Sequence, residues 1–241
     1  MSNRRNRLRG IVILHEDADV IVLEKSAGIL TQETYRRIGG QGVRGGEYCV
    51  EFALTDWVRK GQARSSRRVY LVHRLDRETS GVMMVAKTPE VQEYFRSQWG
   101  DVTEKTYLAR VEGSMGAESG VFESLLVEEA DMRVHSTRDE TRGRLARTEW
   151  KVLRDGPRPL VEVALKTGRK NQIRVHFAEA GHPVCGDVRY GTGGGRGLCL
   201  HAWRLTFVHP RTHESCTFEA PPPVWADRGA AVAERTPYRP R

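Results

Sequence analysis

The chain has 241 residues, 39% hydrophobic and 29% charged, a balance that fits a packed globular fold and excludes a disordered chain. No run approaches the ~18 apolar residues of a membrane-spanning helix, and the polar start lacks the apolar stretch of a secretory signal. The net charge is +8, and 32 of the 39 basic residues are arginine, whose planar fork grips phosphate and stacks on bases. An Arg-favouring codon bias would give the same count, so composition alone only raises nucleic acid as a partner.

The chain opens with an Arg-rich arm (Arg4, Arg5, Arg7, Arg9) over residues 1–10, expected to be flexible. Residues 19–25 read as a strand and 26–28 as a turn. Five glycines within 39–46 predict a flexible loop. Helical spacing of Val50, Ala53, Leu54, Trp57 and Val58 predicts a helix over 47–60. The apolar run 81–87 predicts a buried strand, and Pro89 opens a helix to about Trp99. Strands follow at 103–111, 144–154 and 160–165, where Val161, Val163 and Leu165 share a face. A short helix over 171–180 stacks Ile173 and Phe177 at i, i+4 and stops at Gly181. A hairpin is expected from 203–208 and 214–219, and Pro221–Pro223 close the domain. The expected organisation is a basic arm (1–10), one domain (11–224) and a polar, basic, mobile tail (225–241). Strands that follow one another directly argue for an α+β fold around a mixed, mostly antiparallel central sheet, flanked by helices and loops.

Several familiar chemistries find no motif. The stretch 193–197 lacks the GK[ST] ending of a phosphate loop, and neither GxSxG nor HExxH occurs. Cys49, Cys185, Cys199 and Cys216 show no CxxC or zinc spacing and read as free thiols of a reducing compartment, the cytoplasm. No cofactor and no metal are therefore expected. What stands out is the stretch 59–77, with seven basic residues and one acid, Asp76, inside His73-Arg74-Leu75-Asp76-Arg77-Glu78-Thr79-Ser80-Gly81. Arginines on both sides would keep that carboxylate ionised, fit to act as nucleophile or base. From spacing alone, an ordinary turn at Asp76, with its carboxylate accepting backbone N–H bonds, is the stronger reading.

HRLDRETSG resembles the HRLDxxTSG signature of the RluA-type RNA pseudouridine synthases. Further segments resemble that family in the same order: Glu24-Lys25-Ser26-Ala27-Gly28, then Lys105-Thr106-Tyr107-Leu108-Ala109, then residues 167–176 (TGRKNQIRVH). Residues 181–187 (GHPVCGD) with Tyr190-Gly191, then Leu200-His201-Ala202 and Phe218-Glu219-Ala220-Pro221, complete the series. The resemblance spans roughly residues 14–224. Two departures occur: Ser26 replaces the usual Pro, and Lys170-Asn171 stands where Thr-His is common.

The resemblance implies isomerisation of uridine to pseudouridine within RNA. It makes Asp76 the catalyst, attacking C1′ or the uracil C6 or removing the C2′ proton. It makes Arg174 the bidentate counter-charge of Asp76 and Tyr107 the ring that stacks on the base and assists proton transfer at C5. Arg74, Lys105, Arg169 and Arg77 follow as substrate-binding residues: Arg74 entering the stack left by a flipped base, Lys105 supporting the pocket charge, Arg169 contacting phosphate. His73 reads as a structural residue. The expected protein is a cytoplasmic monomer that binds ribosomal or transfer RNA, with no membrane partner. The alternative is an RNA-binding chaperone with a dispensable active site. A metal-dependent nuclease is disfavoured by the lone Asp76.

Overall fold

The computed structural model describes residues 7–33, 35–38, 41–44, 46–195 and 197–227. The chain forms two compact units, the first from Met1–Val102 and Phe207–Phe218, the second from Thr103–Thr206 and Glu219–Arg241.

In the first unit the strands β1 (Arg7–Leu8), β2 (Ile11–Glu16) and β3 (Val20–Lys25) lie side by side, antiparallel. β3 pairs with β7 (Ser80–Ala86), Val22 facing Met84, and the short β6 (Tyr70–Leu71) pairs with β7 as well. Val20–Leu23 and Val82–Ala86 are buried throughout, as near-continuous apolar runs demand when both faces of a strand are covered. β1 lies inside the expected arm: Arg7 and Leu8 pair with Val12 and Ile11, and residues 1–6 fall outside the described residues. The expected loop at 39–46 is corrected by a hairpin, β4 (Tyr35–Ile38) and β5 (Gln41–Arg44), paired in register from Tyr35–Arg44 to Ile38–Gln41. Residues 39, 40 and 45 of that stretch fall outside the described residues. Helix α1 (Val50–Arg59) starts at Cys49, whose Sγ accepts from the Phe52 N–H, and buries Val50, Ala53, Leu54 and Val58. Helix α2 (Pro89–Val102) buries Val91 and Phe95, with Phe95 edge-on to Phe207 at 5.7 Å.

The second unit carries β8 (Thr103–Arg110), β9 (Ser119–Glu128), β10 (Val134–Thr137), β11 (Arg144–Arg154) and β12 (Leu160–Leu165), in the spatial order β8-β12-β11-β9-β10. These pairings are antiparallel. Gly120 lies against Trp150 so closely that a Cβ would meet the indole Cζ2 at 2.5 Å. Helix α3 (Gln172–Glu179) buries six consecutive residues from Gln172 to Phe177. β13 (Leu200–Val208) begins in this unit; β14 (Ser215–Glu219) falls almost wholly in the first, the bond from His209 N–H to Glu214 O closing the turn between the two strands. Helix α4 (Val224–Asp227) corrects the start of the expected tail. Ala226 packs with Leu108 and Leu160, and Arg110 donates through Nε and Nη2 to Trp225 O, so two apolar residues dock where a mobile segment was expected. Residues 228–241 fall outside the described residues. Among the described residues, no helix is long and apolar enough to cross a membrane. Few helices and largely antiparallel strands make the chain α+β, as expected.

Candidate active site

The loop from His73 to Thr79, between β6 and β7, carries Asp76, which is half-buried, with Arg74, Arg77 and Glu78 exposed beside it. Both flanks of Asp76 are held. The Thr31 hydroxyl donates to Leu75 O at 2.7 Å and accepts from the Leu75 N–H at 3.2 Å. After Asp76, Arg77 O accepts from the Gly28 N–H at 2.7 Å and from Lys25 Nζ at 3.2 Å. The same ammonium donates to Ser26 O at 3.1 Å and Ile29 O at 2.8 Å. Lys25 is fully buried. Burial brings its pKa down to about 8, while the charges of Asp76 and Glu78 push it up. The turn itself is closed by the Thr79 N–H on Asp76 O. His73 Nε2 accepts from the Met84 N–H at 3.0 Å and its ring lies 4.8 Å from Trp99, the structural part expected of it. Arg77 donates from Nε to Gly28 O, with Nη1 3.9 Å from Glu47.

The second unit carries the other expected residues. On β8, Lys105 and Tyr107 sit two residues apart and so share a face, opposite Leu165 and Val163 of β12. Tyr107 is buried, and burial brings the Lys105 ammonium down to about 8. Arg169 is exposed and donates from Nε to Leu145 O. Two polar anchors fix the adjoining helix α3 to β11. Gln172 Nε2 donates to Arg147 O and Thr148 Oγ1, and His176 Nδ1 lies 2.9 Å from Thr148 Oγ1. Burial holds the His176 ring below its ordinary pKa.

Arg174 projects from α3 and is 6% exposed, so it is no surface arginine. The sequence reading gives it Asp76 as bidentate partner. Within its own unit the bidentate partner is Asp187, reached by Nε at 2.7 Å and Nη2 at 2.8 Å. Nη1 donates to Asn171 Oδ1 at 3.2 Å. These bonds use three of the five guanidinium N–H groups. Sequence reasoning assigned no role to Lys25, Thr31, Asn171, Asp187 or Tyr190. The signal for Lys25, Asp187 and Tyr190 was present, since each lies in a segment resembling a family motif.

One trio of metal-type donors, Asp17, Asp19 and His209, clusters within 4.8 Å among the described residues. Its carboxylates are already engaged. Arg211 donates to both Asp19 oxygens at 2.7 and 2.6 Å, and Asp17 Oδ2 faces His15 at 2.8 Å and His209 at 3.1 Å. That wiring is an ion-pair network tying the segment after β13 to the β2–β3 turn.

The family described as RNA pseudouridylate synthase matches residues 19–179. The chain belongs to this family. Among similar family members is a ribosomal large subunit pseudouridine synthase D of Neisseria meningitidis, 34% identical over 88% of this chain and 58% of its own length. An RNA pseudouridine synthase of Bacillus subtilis, YlyB, is 36% identical over 88% of this chain and 69% of its own length. The chain thus spans between 58% and 69% of these two relatives. In structure it resembles human RNA pseudouridylate synthase domain containing 4, with a TM-score of 0.67, 24% identity and 89% of each chain covered. That likeness shows a shared fold.

Proposed function

We propose that this chain isomerises uridine to pseudouridine in structured RNA, with Asp76 as the catalyst. The observation that carries the reading is how the Asp76 loop is held. Thr31 clasps the peptide before Asp76 and buried Lys25 clasps the one after, so the carboxylate is presented from a fixed backbone while staying half-buried. Pre-positioning of this kind is what catalysis requires. An ordinary solvated turn needs no buried ammonium beneath it.

In the reaction the C1′–N1 bond breaks and a C1′–C5 bond forms. C5 loses its proton and N1 gains one, so electrons balance without a redox partner. Asp76 opens the sequence by attack at C1′ or C6, or by taking the C2′ proton. Tyr107 stacks on the base and assists proton transfer at C5. Arg174 steadies the Asp76 carboxylate with directed N–H donors. Lys105 supports the pocket charge, and Arg74, Arg77 and Arg169 contact the RNA. The relatives' names make large-subunit ribosomal RNA the first substrate to test, and transfer RNA, expected from the sequence, is tested beside it. The protein acts as a cytoplasmic monomer whose partner is RNA.

The test maps pseudouridines in RNA from cells that lack the gene, carry it, or carry Asp76→Asn. The expected result is one or more uridines left unmodified both without the gene and with Asp76→Asn. Full modification by the Asp76→Asn protein would overturn the assignment. Loss of modification with full rescue of any growth defect would favour the RNA-chaperone alternative.

A further inference from the structure

Asp187 is fully buried, and its carboxylate is crowded with donors. Oδ2 accepts from Arg174 Nε, and Oδ1 accepts from Arg174 Nη2 and the backbone N–H groups of Arg189 and Tyr190, at 2.8 and 3.0 Å. The position is set by the backbone before it. Gly186 has φ 76°, and a Cβ there would fall 2.0 Å from Gly197 O. The Arg174 guanidinium also lies 5.3 Å from the centre of the Tyr190 ring, within cation–π range. The Tyr190 hydroxyl is bonded in turn, accepting from Asn171 Nδ2 at 3.2 Å and from the Val134 N–H at 3.1 Å. Asn171 closes the circuit by accepting from Arg174 Nη1. It can do so because it sits at φ 53° ahead of α3, a left-handed conformation that asparagine tolerates better than most residues.

We propose that Asp187, Asn171 and Tyr190 form a cage that positions the Arg174 guanidinium for the reaction, without themselves touching the reacting atoms. The inference rests on the reading of Arg174 as the group that steadies Asp76. It changes what Arg174 supplies. A bidentate carboxylate neutralises most of the arginine charge, so Arg174 offers oriented donors and little surplus positive charge. A buried arginine with neither carboxylate nor ring beside it would be costly and free to rotate. The cage removes both problems. Burial alone would raise the Asp187 pKa, but Arg174 and the two backbone donors hold it below the ordinary value, so the carboxylate stays charged as a bidentate acceptor must.

The test measures single-turnover rate at saturating RNA, RNA affinity and thermal unfolding for a set of variants. Asp187→Asn turns one acceptor into a donor facing a donor, and its rate is expected to fall about 100-fold, the scale of a misplacement near 1 Å. Its RNA affinity should stay within about twofold, because Asp187 is fully buried and faces only donors of its own chain. Asn171→Gly keeps the left-handed backbone and removes the amide, so it is expected to fold and to lose about tenfold in rate. The decisive measurement is the cycle with Arg174→Met. If Asp187 acts only through Arg174, the double variant is as slow as Arg174→Met alone and melts at a higher temperature than it, since no unpaired buried carboxylate remains. Losses that multiply would overturn the proposal by showing a separate role for Asp187. If Asp187→Asn fails to fold, an unchanged rate in Asn171→Gly overturns the proposal and a tenfold loss supports it. A near-normal rate in Arg174→Met would instead sink the underlying reading of Arg174, an outcome distinct from both.

Discussion

Lys25 gives the sharpest physical test of how the Asp76 loop is held. Its ammonium is fully buried, and burial lowers its pKa from 10.5 to about 8. Below pH 8 folded and unfolded chains both hold the proton, and the folded state carries the full cost of a buried charge. Between about pH 8 and 10.5 the unfolded chain binds the proton and the folded chain does not, so stability rises with pH. The slope is about 1.4 kcal/mol per pH unit, and over the gap between the two pKa values it amounts to about 3 kcal/mol. Replacing Lys25 by Met removes this contribution and leaves other titrations in place, so the difference between the two proteins isolates it. The assay is urea unfolding of wild type and Lys25→Met at about pH 7, 8.5 and 10. Wild type is expected to gain on the variant by about 2–3 kcal/mol between the first and last conditions. A difference that stays flat, or that shrinks as pH rises, refutes the claim that Lys25 is charged against the cost of burial.

Asp76→Asn keeps the loop's shape but can neither attack nor accept a proton, so single-turnover pseudouridine formation should fall by at least about 100-fold while RNA affinity holds. Arg174→Lys keeps one charge but cannot bridge both Asp187 oxygens, so turnover should drop sharply in the same assay; a near-normal rate would move the role to Arg169. Thr31→Val strips both Leu75 backbone groups of their partner and should cost about 1–3 kcal/mol, read as a lower midpoint in urea unfolding. Deleting residues 2–6 leaves β1 in place and removes Arg4 and Arg5, so the slope of log affinity against log salt should lessen by about 1.4 if both touch single-stranded RNA, with the chemical step unchanged. A salt titration of affinity, paired with single-turnover rates, checks it.

The parts of the fold that were legible in the sequence are those with an unbroken local signal. The apolar run of β7 and the proline that opens α2 fall where the sequence puts them, and so does the i, i+4 pair of α3, because each pattern answers to its own burial. β9 and β10 were missed: Ser119–Glu128 is largely exposed along its first half, so little apolar alternation marks it. The hairpin of β4 and β5 was hidden by glycines that read equally as loop. α4 was hidden by its length, since four residues carry no periodicity and only the docking of Ala226 and Trp225 makes them helical. Asp76, Tyr107 and Arg174 are assigned through segments of resemblance. Their supports were not, because the Thr31 contact joins residues 44 apart and the one from Lys25 to Arg77 joins residues 52 apart, and no local pattern announces a contact at such range.

The basic residues divide into two kinds that composition cannot separate. Most of the described arginines are exposed and suit phosphate, an attraction that salt screens over about a Debye length. Lys25 and Arg174 are buried, and Lys105 is half-buried, and salt reaches them less. Their use differs accordingly: Lys25 ties three carbonyls around the Asp76 loop, and Arg174 sits in a fork of Asp187. Burying a cation is costly. What Lys25 adds is a fixed geometry beside Asp76, and what the Asp187 fork adds is a fixed orientation of Arg174 itself. Affinity for RNA should therefore be governed by exposed charge and be steeply salt-dependent. The rate of the bound complex should be governed by buried charge and be nearly indifferent to salt, so that a single salt series read in both quantities separates the two populations of basic side chains.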